Sequence, residues 1–384
     1  MKPRILIDAN PVVQNYLPGH HVSGIGRTTL ELIKALNQIE NIPVDIMLYS
    51  QNMKGIGGRD IATKFKCCHV YLRNNNICNK LSSTFRLREL LTKYDLMHIT
   101  HNFEVVPYPE KCIVTLHDAF FMKINEQRFD HKTMRCVVPP FIKKCRHIIT
   151  CSEYSKKDII ETMDVSPEKI TVIPWGIDHD VFYVESNRDV SRLRLKSEFN
   201  ISYPYFLSVS CNAERKRTDM LIRSYIKYIT VNPTASNDLV LVWANPPIEL
   251  LTEISNAGPE AVRRIHFLKN VSNDDLRLLY NCATASFTPS AYEGFGLPIL
   301  EAMACGCPVV SAYNSSLPEV GGNAAFYLDE PIEATIFSAF ADFEQKEIDK
   351  SSFVKNGMFQ ASKFTWQRAA EATIEVYLKA LGME

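Results

Sequence analysis

The sequence predicts two α/β domains, each an open parallel sheet with helices packed on it. Three observations carry this. Short apolar runs that suit buried strands alternate with amphipathic stretches at helical spacing through both halves of the chain. The series stops over 181–203, a charged stretch that reads as a linker with a short helix, and begins again at 205–209. At 384 residues the chain also exceeds what a single core usually holds.

Taken in order, Arg4–Asp8 is the first apolar strand, and 10–22 is a loop with two prolines. Ser23-Gly24-Ile25-Gly26-Arg27 opens a helix whose apolar face is Leu30, Ile33, Leu36 and Ile39. Strands are expected at 46–49, 96–100 and 111–116, a helix over 85–94, and a polar, glycine-dotted loop over 51–79. His98 and His101 stand three apart, which on a strand puts them on opposite faces and argues against a metal pair. His117-Asp118 ends the strand 111–116, where an open α/β sheet presents functional side chains. The basic-apolar stretch 135–146, with Lys143, Lys144 and Arg146, reads as a solvated helix rather than a membrane-surface face. Strand 147–151, a helix capped by Ser152 and strand 169–174 complete the first half. After the junction Trp175-Gly176-Ile177-Asp178, strand or helix runs follow at 205–209, 220–229, 239–243, 265–268 and 274–280. The last helix, 366–381, carries Ala369, Ala370, Ile374, Tyr377 and Leu378 on its apolar face.

The totals exclude several classes. The 43 basic and 43 acidic side chains leave no bulk field for nucleic acid or an anionic membrane. No run approaches a membrane span, and Met1-Lys2-Pro3-Arg4 leads into a strand rather than a signal peptide. The 11 scattered cysteines form no ligand framework and suit a reducing cytosol; Cys305 and Cys307 read as core thiols. A dinucleotide-binding reading of Gly24–Gly26 is disfavoured, because Thr29 replaces the third glycine and Asp45 starts the next strand instead of ending it.

The most informative stretch is 285–319. A strand at 283–287 leads into a turn, then Gly294-Phe295-Gly296, then a helix that Pro298 can start and Gly306 ends, then the strand 308–310. Glu293 lies in the loop and Glu301 about one turn inside the helix. The N–H groups of a glycine-bracketed helix start suit anions or hydroxyl oxygens, and glycine lets a ligand come close.

Over 292–306, two glutamates eight positions apart around Gly-Phe-Gly-Leu-Pro, the chain resembles the retaining glycosyltransferases of family 4. The resemblance implies their B-type fold: two Rossmann-like domains facing across a cleft, with a C-terminal helix crossing back. The expected domains are 1–176 with 366–384 on the acceptor side, where 51–79 would be a mobile loop, and 177–365 on the nucleotide-sugar side. By resemblance, His117 lies close to the donor sugar, Glu293 contacts it, and Arg215 and Lys216 hold the leaving diphosphate; these four form the catalytic set. Gly24, Gly26, Asp118, Gly294, Phe295, Gly296, Leu297, Glu301, Ser316 and Leu317 form the donor-binding set, with Glu301 on the ribose. The family usually has Asn where this chain has Trp175.

The implied function is metal-independent, retaining transfer of a sugar from a nucleotide diphosphate, GDP-mannose first, to a glycan acceptor. That acceptor is expected to be lipid-linked, at the cytoplasmic face of a membrane, in surface-polysaccharide synthesis of the O-antigen kind. The even charge balance implies no nucleic acid, and no metal or cofactor is expected, because no carboxylate pair such as Asp-x-Asp is read near the phosphates and the charge on Arg215 and Lys216 makes one unnecessary. The competing readings are a UDP-sugar transferase, a sugar-nucleotide 2-epimerase and a non-catalytic sugar-nucleotide-binding protein. Because Glu293 lies in a loop, Glu293→Ala is expected to abolish transfer and leave the fold intact.

Overall fold

In the computed structural model, which describes residues 2–14, 24–53, 63–73, 75–102, 106–123, 129–202, 204–345 and 348–383, the chain forms two compact units. The first is built from 1–176 and 366–384, the second from 177–365.

The first unit holds a seven-stranded parallel sheet in the order β3-β2-β1-β4-β5-β6-β7. Its strands are β1 (Arg4–Asp8), β2 (Asp45–Gln51), β3 (Lys66–Val70), β4 (Leu96–Ile99), β5 (Cys112–Thr115), β6 (His147–Thr150) and β7 (Ile170–Val172). The central strands are buried along their whole length, which suits their β-branched, apolar runs. The second unit repeats the plan with six strands in the order β10-β9-β8-β11-β12-β13. These are β8 (Tyr205–Val209), β9 (Asp238–Val242), β10 (Ile265–Leu268), β11 (Ala285–Thr288), β12 (Val309–Ala312) and β13 (Phe326–Leu328). One face of this sheet is cemented by aromatic rings, with Phe340 against Phe206, Tyr225 and Phe287 at centroid distances of 5.0, 5.5 and 4.6 Å.

Both sheets reverse their order at the strand that begins them. In the first the reversal falls between β1 and β4, in the second between β8 and β11. Loops leaving the carboxyl ends of such a pair diverge to opposite sides and open a crevice between them.

The last helix, Trp366–Leu381, packs on the first unit. Tyr377 Oη lies 2.7 Å from His98 Nδ1 in the core, and His98 Nε2 meets Thr115 Oγ1 at 2.8 Å. At the helix start Trp366 stacks on Trp175, 5.9 Å between ring centroids and 21° between planes.

Several elements differ from expectation. The stretch read as a loop over 51–79 contains edge strand β3 and the start of the helix Asn76–Thr84; residues 54–62 and 74 lie outside the described set. The single helix expected over 85–94 is broken by Arg86, whose φ of +51° is left-handed, so a separate short helix spans Leu87–Leu91. The linker over 181–203 holds a 12-residue helix, Arg188–Phe199, capped by the Asn187 side chain. Within 10–22, Asn10–Gln14 is helical, and 15–22 lies outside the described residues. Helix Gly24–Gln38 buries Leu32, Ile33, Ala35 and Leu36, so its inner face is rotated from the expected stripe.

Candidate functional site

The second unit places its charged residues at the strand-order reversal. The loop after β8 ends in a 3-10 turn, Glu214–Lys216, and the loop after β11 carries Glu293. Ala291 N donates to Arg215 O at 2.7 Å, so the two loops are tied by their main chains before any side chain meets.

Glu293 is then held from three sides. Its Oε1 accepts from Lys216 Nζ at 2.5 Å and from Ser290 Oγ at 2.7 Å, and its Oε2 accepts from Arg215 NH1 at 3.1 Å. The same Arg215 nitrogen donates to Tyr292 O at 2.8 Å. Burial opposes the charge on Glu293, but Lys216 and Arg215, with the bonds from Lys216 and Ser290, outweigh it and hold the carboxyl below its usual range. The result is a buried carboxylate under two cations, which leaves the crevice net positive.

Behind it the glycine loop is braced from the following segment. Ser315 Oγ accepts from Glu293 N at 3.0 Å, and Ser316 Oγ lies 2.9 Å from Glu293 O and 2.8 Å from Phe295 O. Gly296 has φ +110°, and a Cβ there would fall 2.9 Å from Leu317 Cδ2, so only glycine fits. The helix it opens, Leu297–Ala304, has no side-chain cap; Pro298 brings no N–H and Ile299 N donates to Gly296 O at 3.0 Å, so its positive end and remaining N–H groups are what suit an anion or hydroxyl. Glu301 is almost wholly buried in that helix, and its Oε2 accepts from Tyr280 Oη at 3.1 Å.

These contacts correct three readings. The side chains of Phe295, Ser316 and Leu317 are buried, and those of Ser316 and Leu317 support the glycine loop. Glu293 is not a removable loop residue, because its carboxylate is the shared partner of Arg215 and Lys216. Asp178-His179-Asp180 does have the Asp-x-Asp spacing, but Asp178 Oδ1 accepts from Asp180 N at 3.0 Å in a local turn. Cys305 and Cys307 are buried in the core, where burial pushes both thiols up.

The first unit carries His117 just past β5. Its Nε2 lies 3.1 Å from Thr100 O; since a carbonyl only accepts, Nε2 carries the proton. Burial lowers its pKa, with the Thr100 bond and Asp118 opposing, so the neutral ring offers Nδ1 as an acceptor. Its main chain is pinned by Cys151 Sγ at 3.1 Å and Ser155 Oγ at 3.3 Å. Trp175 supplies a wall, 5.6 Å between ring centroids. Asp118 accepts from Phe120 N at 3.0 Å and so starts the next short helix. His98 and His101 point apart: His98 into the core, His101 to Asp8 Oδ2 at 2.9 Å. Asp45, at the start of β2, pairs with Arg4 at 2.9 Å, far from the carboxyl end that a ribose-binding acid would need. Gly24 and Gly26 form the first turn of helix Gly24–Gln38, and Ser23 lies outside the described residues.

Sequence reasoning missed Tyr280 and Ser290. Only Ser290, three residues before Glu293 in the same turn, left a signal; Tyr280 reaches Glu301 from another helix.

Comparison with known proteins gives consistent matches. Residues 22–181 match the family described as Glycosyltransferase Family 4, and residues 245–358 match Glycosyl transferases group 1. The chain is 26% identical to O-antigen chain mannosyltransferase B of Escherichia coli, covering 93% of this chain and 96% of that one. It is 28% identical to O-antigen chain mannosyltransferase RfbU of Salmonella typhimurium, covering 70% and 75%. Among solved structures, sucrose-phosphate synthase from Thermosynechococcus elongatus superposes with a TM-score of 0.75 at 17% identity over the whole of both chains. The glycosyltransferase WaaG, involved in lipopolysaccharide biosynthesis, does so with a TM-score of 0.72 at 14% identity, over 97% and 99%.

Proposed function

Since the chain belongs to glycosyltransferase family 4 and has the B-type fold, we propose that it transfers mannose from GDP-mannose to a glycan acceptor with retention and without a metal. The observation that carries this reading is the cationic cluster at the sheet reversal of the second unit. In the transfer, the bond from the sugar's C1 to the diphosphate oxygen breaks and its electron pair leaves with the diphosphate. The acceptor hydroxyl attacks the same face, and its proton passes to the departing phosphate oxygen. Charge grows on that oxygen, and Arg215, Lys216 and the amides opening Leu297–Ala304 stabilise it; each well-placed donor lowers such a barrier by about 3 kcal/mol. Glu293 orients the two cations and meets the sugar's hydroxyls. Neutral His117 accepts from a sugar hydroxyl through Nδ1, and Glu301 contacts the ribose.

Mannose and the O-antigen setting are supported by the two mannosyltransferase relatives. The acceptor is proposed to be lipid-linked and presented at the cytoplasmic face of a membrane. Paired-carboxylate hydrolysis fits poorly, because Glu293 is held as a carboxylate by Arg215 and Lys216 and Glu301 sits inside the helix, where binding and orientation are the better roles.

A thermal-shift panel of sugar nucleotides tests the donor, since a ligand of the native state raises the melting temperature by mass action. GDP-mannose is expected to give the largest shift; a larger shift with UDP-sugars overturns the choice of base. Proton NMR of the product then reads the anomeric configuration, and an inverted linkage overturns retention. A C2-epimerised donor formed without acceptor would replace the transfer reading altogether.

A further inference from the structure

The helix Asn76–Thr84 is amphipathic the wrong way round. Asn75 caps it, accepting from Cys78 N at 2.9 Å, and its inner side is polar or small. Asn79 Oδ1 accepts from Gln51 Nε2 at 2.7 Å, and Ser82 is only 1% exposed. Its apolar side chains instead follow the i, i+4, i+8 spacing outward: Ile77 is 74% exposed, Leu81 47%, and Phe85, the residue after the last turn, 64%. The chain then turns at left-handed Arg86, and the short helix Leu87–Leu91 repeats the inversion. There the cation points inward, with Arg88 2% exposed and its guanidinium 4.5 Å from the Tyr49 ring centroid, while Leu90 is 75% exposed and Leu91 is exposed beside it. Tyr71, just ahead of these helices, is exposed as well.

A water-soluble surface does not ordinarily gather this many large apolar side chains into one short stretch. The cations around it narrow what covers it. Arg73, Lys80, Arg86 and Lys93 are all exposed along 71–93, where Glu89 is the sole carboxylate and accepts from Tyr94 Oη at 2.5 Å. A chain with equal numbers of acids and bases is therefore locally and strongly positive here. The basic helix Phe129–Lys144 offers no such surface, because Val138, Phe141 and Ile142 are buried in the core.

We propose that Ile77, Leu81, Phe85, Leu90 and Leu91 form a face of the first unit that docks on a bilayer bearing anionic phospholipids. The apolar side chains enter the boundary between headgroups and acyl chains, while Lys80, Arg86, Arg73 and Lys93 meet lipid phosphates. The face gives the proposed lipid-linked acceptor a membrane address, and it rests on that reading for its purpose but not for its binding.

Flotation of the full chain with phosphatidylcholine vesicles, with and without phosphatidylglycerol, tests this. Binding is expected to the anionic vesicles and to weaken as salt is raised. The variant Ile77→Ser/Leu81→Ser/Phe85→Ser should lose at least about tenfold in partitioning. Its melting temperature and sugar-nucleotide binding should stay unchanged, because these side chains are exposed and remote in sequence from the donor cluster. Lys80→Glu/Lys93→Glu should remove the preference for anionic lipid. Equal binding by the serine variant, or no binding by the wild type at low salt, overturns the proposal. So does a dimer in light scattering that the serine variant dissolves, which would make the face an interface between copies. Vesicle binding is read without donor or acceptor, so a failed transfer assay leaves this result standing, and the reverse holds.

Discussion

The two sheets share one topology and differ in what stands at the point where their order reverses. In the first, β1 ends in Asp8 and β4 leads to His101, which meet at 2.9 Å. In the second, the loops after β8 and β11 bring two fixed cations onto one carboxylate. The same place holds a carboxylate against an imidazole in one unit and a carboxylate under two fixed cations in the other. Topology makes the place, and the side chains decide whether an anion is wanted there.

The strongest way to break this comparison is to remove the cations. Arg215→Ala and Lys216→Ala should each lower kcat by about a hundredfold or more, the usual loss when a donor to developing charge is removed. Near wild-type turnover in either variant would mean that the second crevice is not where the diphosphate departs. Next comes Glu293→Ala, which leaves both cations without their carboxylate and should cost roughly 3 kcal/mol in denaturant unfolding. Glu293→Gln keeps the shape and part of the hydrogen bonding, so it should lose transfer with a smaller stability cost; equal stability of the alanine variant and wild type would refute the bracing role.

A smaller effect is expected at the nucleoside end. Glu301→Ala should weaken nucleoside-diphosphate binding about tenfold in calorimetry, as for one lost charged hydrogen bond. Unchanged affinity would leave Glu301 as a packing partner of Tyr280 and nothing more.

Acid separates the units further. Burial holds His98 down to about 3 and His147 down to about 4, so as pH falls below about 6.5 the unfolded chain takes up protons that the folded first unit refuses. The stability these histidines contribute is full above that pH and drains away towards their folded values. Glu293 works lower: its contribution is full above the usual carboxylate pKa of about 4.3 and is lost only as pH falls through its depressed folded value. Calorimetry across pH should therefore show the first unit melting earlier on acidification, and His98→Gln should flatten that trend. The smallest expected effect is that of excess EDTA on transfer, which should be none; a rate that collapses and returns with magnesium or manganese would reject the metal-free reading.

Sequence was informative where chemistry and backbone geometry sit in one short segment. Gly294, Gly296, Pro298, Glu293 and Glu301 announce a strand, loop and helix start together, and the alternation of strand and helix runs announces two parallel sheets. It was silent where a contact joins distant positions. Tyr280, which reaches Glu301 from another helix, is a side chain that looks ordinary in its own neighbourhood. It misled where the usual inference from pattern to burial is reversed. Ile77, Leu81 and Phe85 have the spacing of a core-facing helix and face outward, and Arg88 has the look of a surface residue and faces inward. The short helix expected within 181–203 has no legible bounds for a related reason: in Arg188–Phe199 only Ser191 and Leu195 are buried, too few to draw a stripe.

The helix Trp366–Leu381 closes the first unit through Tyr377 and His98, partners separated by 279 positions, and through the stack of Trp366 on Trp175. On the ribosome this inverts the customary order of events. The first unit is started before the second, yet its sheet lacks the helix over His98 and Trp175 until 366–381 has been made. The second unit, contiguous over 177–365, can complete itself beforehand. Until 366–381 has been made, the first unit therefore keeps an unfinished apolar surface where that helix packs.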